Sequence, residues 1–275
     1  MEIGRRLRGI GTSARALAQR GADAGRSGAA ASRDWVAETL RTMPGPDAPA
    51  TEPWEFSLGL LIASHPRVPS ALAGPLAALD GLGCVRVSPE GAGFDGDDVP
   101  WEKVVRVQLH HGLTTLAGQS IDAEFERIRK ALPPLPGRKW VVRKAASGLK
   151  AALEHVAEHA ERLPWETSGA SPDGTDAGTG TGLEIASEIV CRGRFGKEKT
   201  LHTCMYTTAF LAMRPDVTRS LVATARAAGV TVVPAPRRPS DESARASVAE
   251  LRKEARARVA EDDQDEDQEG VPGGL

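Results

Sequence analysis

The stretch Ser88–Gln108, SPEGAGFDGDDVPWEKVVRVQ, carries the clearest fold signal in this chain of 275 residues. The Pro-Glu-Gly sequence at 89–91 predicts a turn, and a short strand follows it. Asp95-Gly96 is a dipeptide typical of a two-residue β-hairpin turn, because both residues tolerate positive φ. A second turn signal at Pro100-Trp101 leads into a strand in which valines alternate with polar residues. The stretch therefore predicts a small antiparallel sheet.

Hydrophobic periodicity predicts further elements on both sides of this stretch. Residues 183–191 alternate between apolar and charged side chains, as expected of a half-exposed strand. The run 201–213 is apolar on both faces and predicts a more central strand, paired with 184–194 across a turn near 195–199. Apolar residues at helical spacing predict helices at 35–43, 121–132, 142–163 and 216–228, the third with a narrow seam of coiled-coil type. The sequence thus predicts an α+β fold.

The order of signals in residues 88–108 resembles that of bacterial pleckstrin-homology-like (PH-like, GRAM-like) domains. Such domains often read as glycine, an aromatic residue, an acidic turn, Pro-Trp and a β-branched strand. The resemblance extends to the late hairpin and helix at 183–229. It implies an antiparallel β-barrel or sheet with a closing C-terminal helix, and a binding module rather than an enzyme.

Composition changes along the chain predict its organisation. We expect residues 1–50 to form a basic helical extension, and the resemblance implies that 51–233 form a single PH-like α+β domain. Within that domain we expect a helical insertion at 120–163 and a flexible linker at 167–182, which consists of small and polar residues. Residues 234–275 predict a linker, a helix and a disordered acidic tail.

Global composition excludes several classes of protein. No apolar stretch approaches the roughly 20 residues of a membrane-spanning helix. The N-terminus lacks the apolar segment of a secretory signal, and three cysteines without a CxxC pair favour a reducing compartment. We therefore expect a cytoplasmic protein, with peripheral attachment to a membrane as an open alternative. No Walker A, GxSxG or placed GxGxxG motif is present, so no cofactor is expected.

Charge segregation supplies the first hypothesis of function. Residues 183–240 carry a net charge of +5 and residues 241–275 carry -6. The predicted hairpin projects four cations onto one rim, which would bind a partner protein or an anionic lipid surface. Nucleic acid is disfavoured because little stacking surface lies nearby. The acidic tail could compete with the ligand for this rim. The predicted ligand-binding residues are Arg192, Arg194, Lys197 and Lys199.

A second hypothesis is a zinc-dependent hydrolase. The sequence His155-Val-Ala-Glu158-His159 matches the HxxEH pattern, in which two histidines bind zinc and the glutamate activates water. A solvated histidine pair is the favoured interpretation because the surrounding motif is missing. The third ligand stays open among Glu184, Glu188 and His202. Cys191, His202 and Cys204 could also converge, but their spacing fits no standard zinc pattern.

Two other patterns have structural interpretations. Asp95, Asp97 and Asp98 lack the glycine and glutamate that a calcium loop requires, so we expect a turn that binds its own backbone. The tripeptide Pro-Trp-Glu begins at residues 53, 100 and 164. Its tryptophans are expected to anchor the starts of strands or to pack beneath loops.

Overall fold

The computed structural model contains two four-stranded sheets with helices packed between and around them. It describes residues 39–63 except 41, residue 79, residues 81–131, eleven helical positions between 141 and 156, and residues 184–193, 196–234, 246–255 and 257. The strands are β1 (Trp54–Phe56), β2 (Val85–Val87), β3 (Gly91–Phe94), β4 (Asp97–Pro100), β5 (Val104–His111), β6 (Glu184–Arg192), β7 (Glu198–His202) and β8 (Thr231–Val233). The helices are α1 (Leu58–Ala63), α2 (Gly112–Ala117), α3 (Ile121–Ala131), α4 (Met205–Met213) and α5 (Pro215–Ala227), and a 3-10 turn spans Trp101–Lys103.

The first sheet is an antiparallel meander in the order β1-β2-β3-β4. The predicted hairpin turn is confirmed, because Asp95 and Gly96 have φ values of 52° and 86°. Two consecutive positive φ values match the twist of the flanking strands, which explains the Asp-Gly pair. The register follows directly, with Phe94 opposite Asp97.

The second sheet has the order β7-β6-β5-β8, and β6 and β7 form an antiparallel hairpin. A hairpin was predicted here, but its second strand begins at Glu198, within the segment predicted as the turn. The fourth strand of the sheet, β8, pairs in parallel with β5. The α+β class is confirmed, but the expected closed barrel is wrong. The 3-10 turn directs the chain out of the first sheet, and β5 then pairs with β6 and β8 rather than extending the meander.

The prediction of a central strand over 201–213 is also wrong. Strand β7 ends at His202, and residues from Met205 form helix α4. Every residue of α4 except Met213 is buried, so the helix is apolar on all sides. A short continuous apolar run has the same hydrophobic pattern in a buried strand and in a buried helix, so this pattern does not distinguish the two.

Helix α4 connects the two sheets. It packs against β6, and its Phe210 ring stacks on Phe56 of β1 with a centroid distance of 3.8 Å and an interplanar angle of 2°. Trp54 stacks on the same ring at 6.2 Å. Aromatic pairs of this kind bury large apolar areas, so Phe210 is a central contact of the core.

Three predicted helices are confirmed where the structure describes them. Helix α3 begins after Ser120, whose Oγ accepts a hydrogen bond from Ala123 N at 3.4 Å. Helix α5 begins at Pro215, and Arg214 before it forms a two-point ion pair with Asp216 in its first turn. The apolar seam of the third helix is buried at all of its described positions, Val142, Ala146, Leu149, Leu153 and Val156.

The first two Pro-Trp-Glu tryptophans anchor the chain as expected. Trp54 Nε1 donates to Pro44 O at 3.0 Å, and Trp101 Nε1 donates to Ser88 O at 2.9 Å. Both indoles are buried. The third copy, the N-terminal extension to residue 38, the linker at 167–182 and the tail from 258 lie outside the described residues.

Candidate anion-binding cleft

A cleft of about 590 Å³ lies between the edge of the first sheet and the β6–β7 hairpin of the second. Strand β4 forms one wall, and the end of β6 together with β7 forms the other. Its lining residues are Asp97, Asp98, Val99, Pro100, Lys103, Cys191, Arg192, Gly193, Lys199 and Leu201. A cleft of this size is in the range that takes a small molecule or a headgroup.

Backbone geometry brings the charged side chains to this cleft. The Asp95-Gly96 turn places Asp97 at the start of the edge strand β4. On the opposite wall, the β6–β7 register sets Lys199 across from Cys191. The two walls meet in an ion pair, in which Lys199 Nζ lies 2.9 Å from Asp97 Oδ2. Charges from two sheets are therefore held over one cavity.

The acidic groups of the cleft are already paired. Asp97 binds Lys199, and Asp98 forms an ion pair with Arg86 on β2. Within the described part of the chain, no carboxylate lies in ion-pair distance of Lys103 or Arg192. Arg86 is shared with Glu55, whose Oε2 lies 2.9 Å from its Nη2. After these pairings Lys103 and Arg192 are the cations of the cleft lining that have no ion-pair partner among the described residues.

The structure brings only part of the predicted rim to the cleft. Arg192 and Lys199 line it, and Lys197 lies in the adjoining turn, where its carbonyl accepts a hydrogen bond from Gly193 N at 2.7 Å. All three side chains are exposed. Arg192 stands opposite Glu198 in the register, whereas Lys199 stands opposite Cys191, so alternation sends the two cations to different faces of the hairpin. Both reach the cleft because it lies where β6 ends. Arg194 is outside the described residues.

Lys103 was missed by the sequence reasoning. It lies in the 3-10 turn directly after Trp101, and its side chain is exposed at the cleft. No local pattern marks it, because the antiparallel pairing of Val104 on β5 with Cys191 on β6 brings it to the end of β6 that carries Arg192. The one available signal is the buried tryptophan two residues earlier, which fixes the turn that carries it.

The carboxylate of Asp95 does not bind the backbone of its own turn. Its Oδ2 accepts from Cys204 N at 2.7 Å, and its Oδ1 accepts from Thr207 Oγ1 at 2.6 Å. Oδ1 also accepts from Cys84 N at 3.3 Å and from Cys204 Sγ at 3.1 Å. The hairpin turn thus caps helix α4, and no calcium loop exists here. The turn itself is confirmed, and only the target of the aspartate was wrong.

The three cysteines are buried, as expected, and none of them forms a disulfide bond. Burial raises the pKa of the Cys204 thiol well above its ordinary value, and the negative charges of Asp95 and Glu124 raise it further. The thiol of Cys191 donates instead to the carbonyl of Lys199 at 3.3 Å. Cys191 and Cys204 consequently make separate contacts in the core, whereas His202 is exposed on β7, so the three side chains do not converge on one metal site.

The residues of the zinc hypothesis are only partly described. His155, Glu158 and His159 lie outside the described residues. Of the proposed third ligands, Glu188 Oε1 lies 3.4 Å from His202 Nδ1 and 3.9 Å from His110 Nε2. Among the described residues no group of three potential ligands is arranged to hold a metal ion.

Comparison of the chain with models of protein families, with curated proteins and with solved structures finds no match. None of the helices that the structure describes is long and apolar enough to cross a bilayer.

Proposed function

We propose that this protein is a non-enzymatic binding module whose cationic rim, Arg192, Lys197 and Lys199, engages an anionic surface. The observation that supports this most is that Arg192 has no ion-pair partner among the described residues, while the cleft carboxylates Asp97 and Asp98 are held by Lys199 and Arg86. An anion that enters such a site gains attraction without having to displace a bound carboxylate from Arg192.

An anionic membrane is the favoured partner. The rim lies on an exposed hairpin tip, where each cation near an acidic leaflet contributes about 1 kcal/mol. An acidic protein partner would use the same charges, and the choice between the two is an outcome of the test. The sequence predicts Arg194 as a fourth cation of this rim, and it lies outside the described residues.

The test is co-sedimentation with vesicles of phosphatidylcholine and phosphatidylserine, at low and at physiological salt. Replacing Arg192, Lys197 and Lys199 by alanine should reduce vesicle binding by about tenfold or more. The matched control replaces three exposed cations outside the cleft lining, Lys130, Arg219 and Lys253, by alanine. It changes net charge equally and should leave most of the binding intact.

Binding should weaken as salt rises, because exposed charges are screened. Equal loss in both triple variants would contradict a localised rim. Absence of vesicle binding by the unmodified protein would exclude the membrane as partner and leave an acidic protein as the remaining form of the proposal.

A further inference from the structure

The two walls of the cleft differ in chemistry. The β4 wall presents the carboxylates of Asp97 and Asp98, whereas the opposite wall and the 3-10 turn present Arg192, Lys199 and Lys103. A site for a simple anion needs only the cations. Carboxylates that line the same cavity can accept hydrogen bonds from hydroxyl groups of a ligand.

The two cations without an ion-pair partner can take a phosphate group. Arg192 offers a planar fork that binds two phosphate oxygens at once, and Lys103 adds a point charge from the 3-10 turn before β5. No carboxylate among the described residues forms an ion pair with either cation. The phosphate would therefore be held where the start of β5 pairs with the end of β6.

Asp97 supplies the second half of the site. Its Oδ2 is held by Lys199 at 2.9 Å, and its Oδ1 has no hydrogen-bond partner in the described part of the protein. The ion pair fixes the carboxylate in place while leaving one oxygen to accept from a hydroxyl group. Since the carboxylate is 61% exposed, a ligand can reach it.

We infer that the cleft binds a phosphate group carried on a polyol, with the phosphate on Arg192 and Lys103 and a hydroxyl group on Asp97. This inference rests on the proposed function and adds the ligand class and two site residues. The polyol phosphate can be a free sugar phosphate or the headgroup of a lipid, and the cleft volume of about 590 Å³ accommodates either.

The first experiment is calorimetric titration of the full chain with ribose 5-phosphate, inorganic phosphate and ribose. Ribose 5-phosphate should bind about tenfold more tightly than inorganic phosphate, and ribose alone should show no binding. Lys103→Ala and Arg192→Ala should each weaken ribose 5-phosphate binding by about tenfold. Lys103→Gln provides a second variant that keeps the length of the side chain.

Asp97→Ala gives the most specific result, because its two expected effects have opposite signs. Removal of a carboxylate from a cationic cleft should strengthen binding of inorganic phosphate. Loss of the hydroxyl acceptor should at the same time remove the preference for ribose 5-phosphate. Glu90→Ala, an exposed acidic residue outside the cleft lining, should change neither quantity.

Vesicles distinguish the two sources of the ligand. If the source is a lipid, phosphatidylglycerol should bind better than phosphatidylserine at equal charge and should be displaced by ribose 5-phosphate. If the source is a free metabolite, the two lipids should bind alike. Equal affinity for ribose 5-phosphate and inorganic phosphate would overturn the polyol inference, while rim-dependent vesicle binding would still support the proposed function. Loss of that rim dependence would overturn the proposed function itself.

Discussion

Glu124 is the most unusual single residue of the core. Its side chain is 4% exposed, and its Oε1 atom has no hydrogen-bond partner within the described residues. Burial raises the pKa of this carboxyl above the ordinary value of 4.5, and the negative charge of Asp95 adds to the effect. Arg127, whose Nη1 lies 3.5 Å from the other carboxylate oxygen, Oε2, opposes the shift without cancelling it. The nearby Tyr206 hydroxyl is also buried without a partner in the described chain, and desolvation raises its pKa as well. Ionisation at this position therefore opposes folding.

The direction of the pH effect follows from that shift. Well below pH 4.5 the carboxyl is protonated in both the folded and the unfolded chain, so its ionisation does not affect the free energy of unfolding. As the pH rises through the raised pKa, the unfolded chain ionises more readily and the free energy of unfolding falls. Glu124→Gln should therefore raise the free energy of unfolding at pH 7 by about 1 kcal/mol and make that free energy depend less on pH.

Urea denaturation across this pH range measures the effect. The exposed neighbour Glu126 on the same helix provides the control, because Glu126→Gln should leave both the free energy of unfolding and its pH dependence nearly unchanged. If Glu124→Gln destabilises the protein at neutral pH without altering the slope, the buried charge is compensated in the native state and our interpretation is wrong.

At the scale of elements, the Asp95 cap joins the first sheet to helix α4. One carboxylate accepts four hydrogen bonds from Cys84, Cys204 and Thr207. Asp95→Ala should lower the free energy of unfolding by about 2 kcal/mol or more, because it leaves the buried donors around Cys204 and Thr207 unpaired. Chemical denaturation measures this loss.

The control for the cap is Asp97→Ala. Asp97 lies on the same hairpin, but its exposed ion pair contributes little to stability. If Asp95→Ala lowers the free energy of unfolding no more than Asp97→Ala does, helix α4 does not depend on the Asp95 cap.

Local patterns predicted those elements that local chemistry specifies. The Asp95-Gly96 turn, helix α5 after Pro215 and the alternating strand β6 follow from turn dipeptides, a helix-initiating proline and a period of two. Helix α4 did not follow, because its run is apolar in every direction. The cap that marks its start is provided by Asp95, more than one hundred residues earlier in the chain.

The residues of the candidate site also divide into those that local sequence groups together and those that distant contacts bring together. Arg192, Lys197 and Lys199 are near one another in sequence, so a hairpin prediction was enough to group them. Lys103 enters the cleft through the long-range pairing of β5 with β6, and Asp97 enters it because the first sheet packs beside the second. The open, two-sheet arrangement and the parallel pairing of β8 likewise depend on contacts over long sequence separations, which periodicity does not encode.

For the whole molecule, segregation of charge predicts self-competition. Residues 241–275 carry a net charge of -6, and they follow a region of +5. An acidic segment on the same chain has a high effective concentration at the cationic rim. Deletion of residues 261–275 should therefore increase vesicle binding at low salt by a few-fold, with the difference shrinking as salt rises.

Titration of vesicles at two salt concentrations measures this effect. A variant in which the acidic residues of 261–269 become glutamine or asparagine keeps the length of the chain and should behave like the deletion. If the deletion strengthens binding but this variant does not, bulk rather than charge is responsible. If neither does so at low salt, the tail does not compete.

We propose that anions bind at the cleft and its hairpin because of the cations placed there, and not because of the overall charge of the protein. Arg192→Glu and Lys130→Glu alter net charge by the same amount, but only the first lies at the cleft. The most direct measurement is vesicle partitioning of these two variants beside the unmodified protein at low salt. We expect Arg192→Glu to lose about tenfold or more of its binding and Lys130→Glu to stay close to the unmodified protein. Equal loss in the two variants would contradict this proposal.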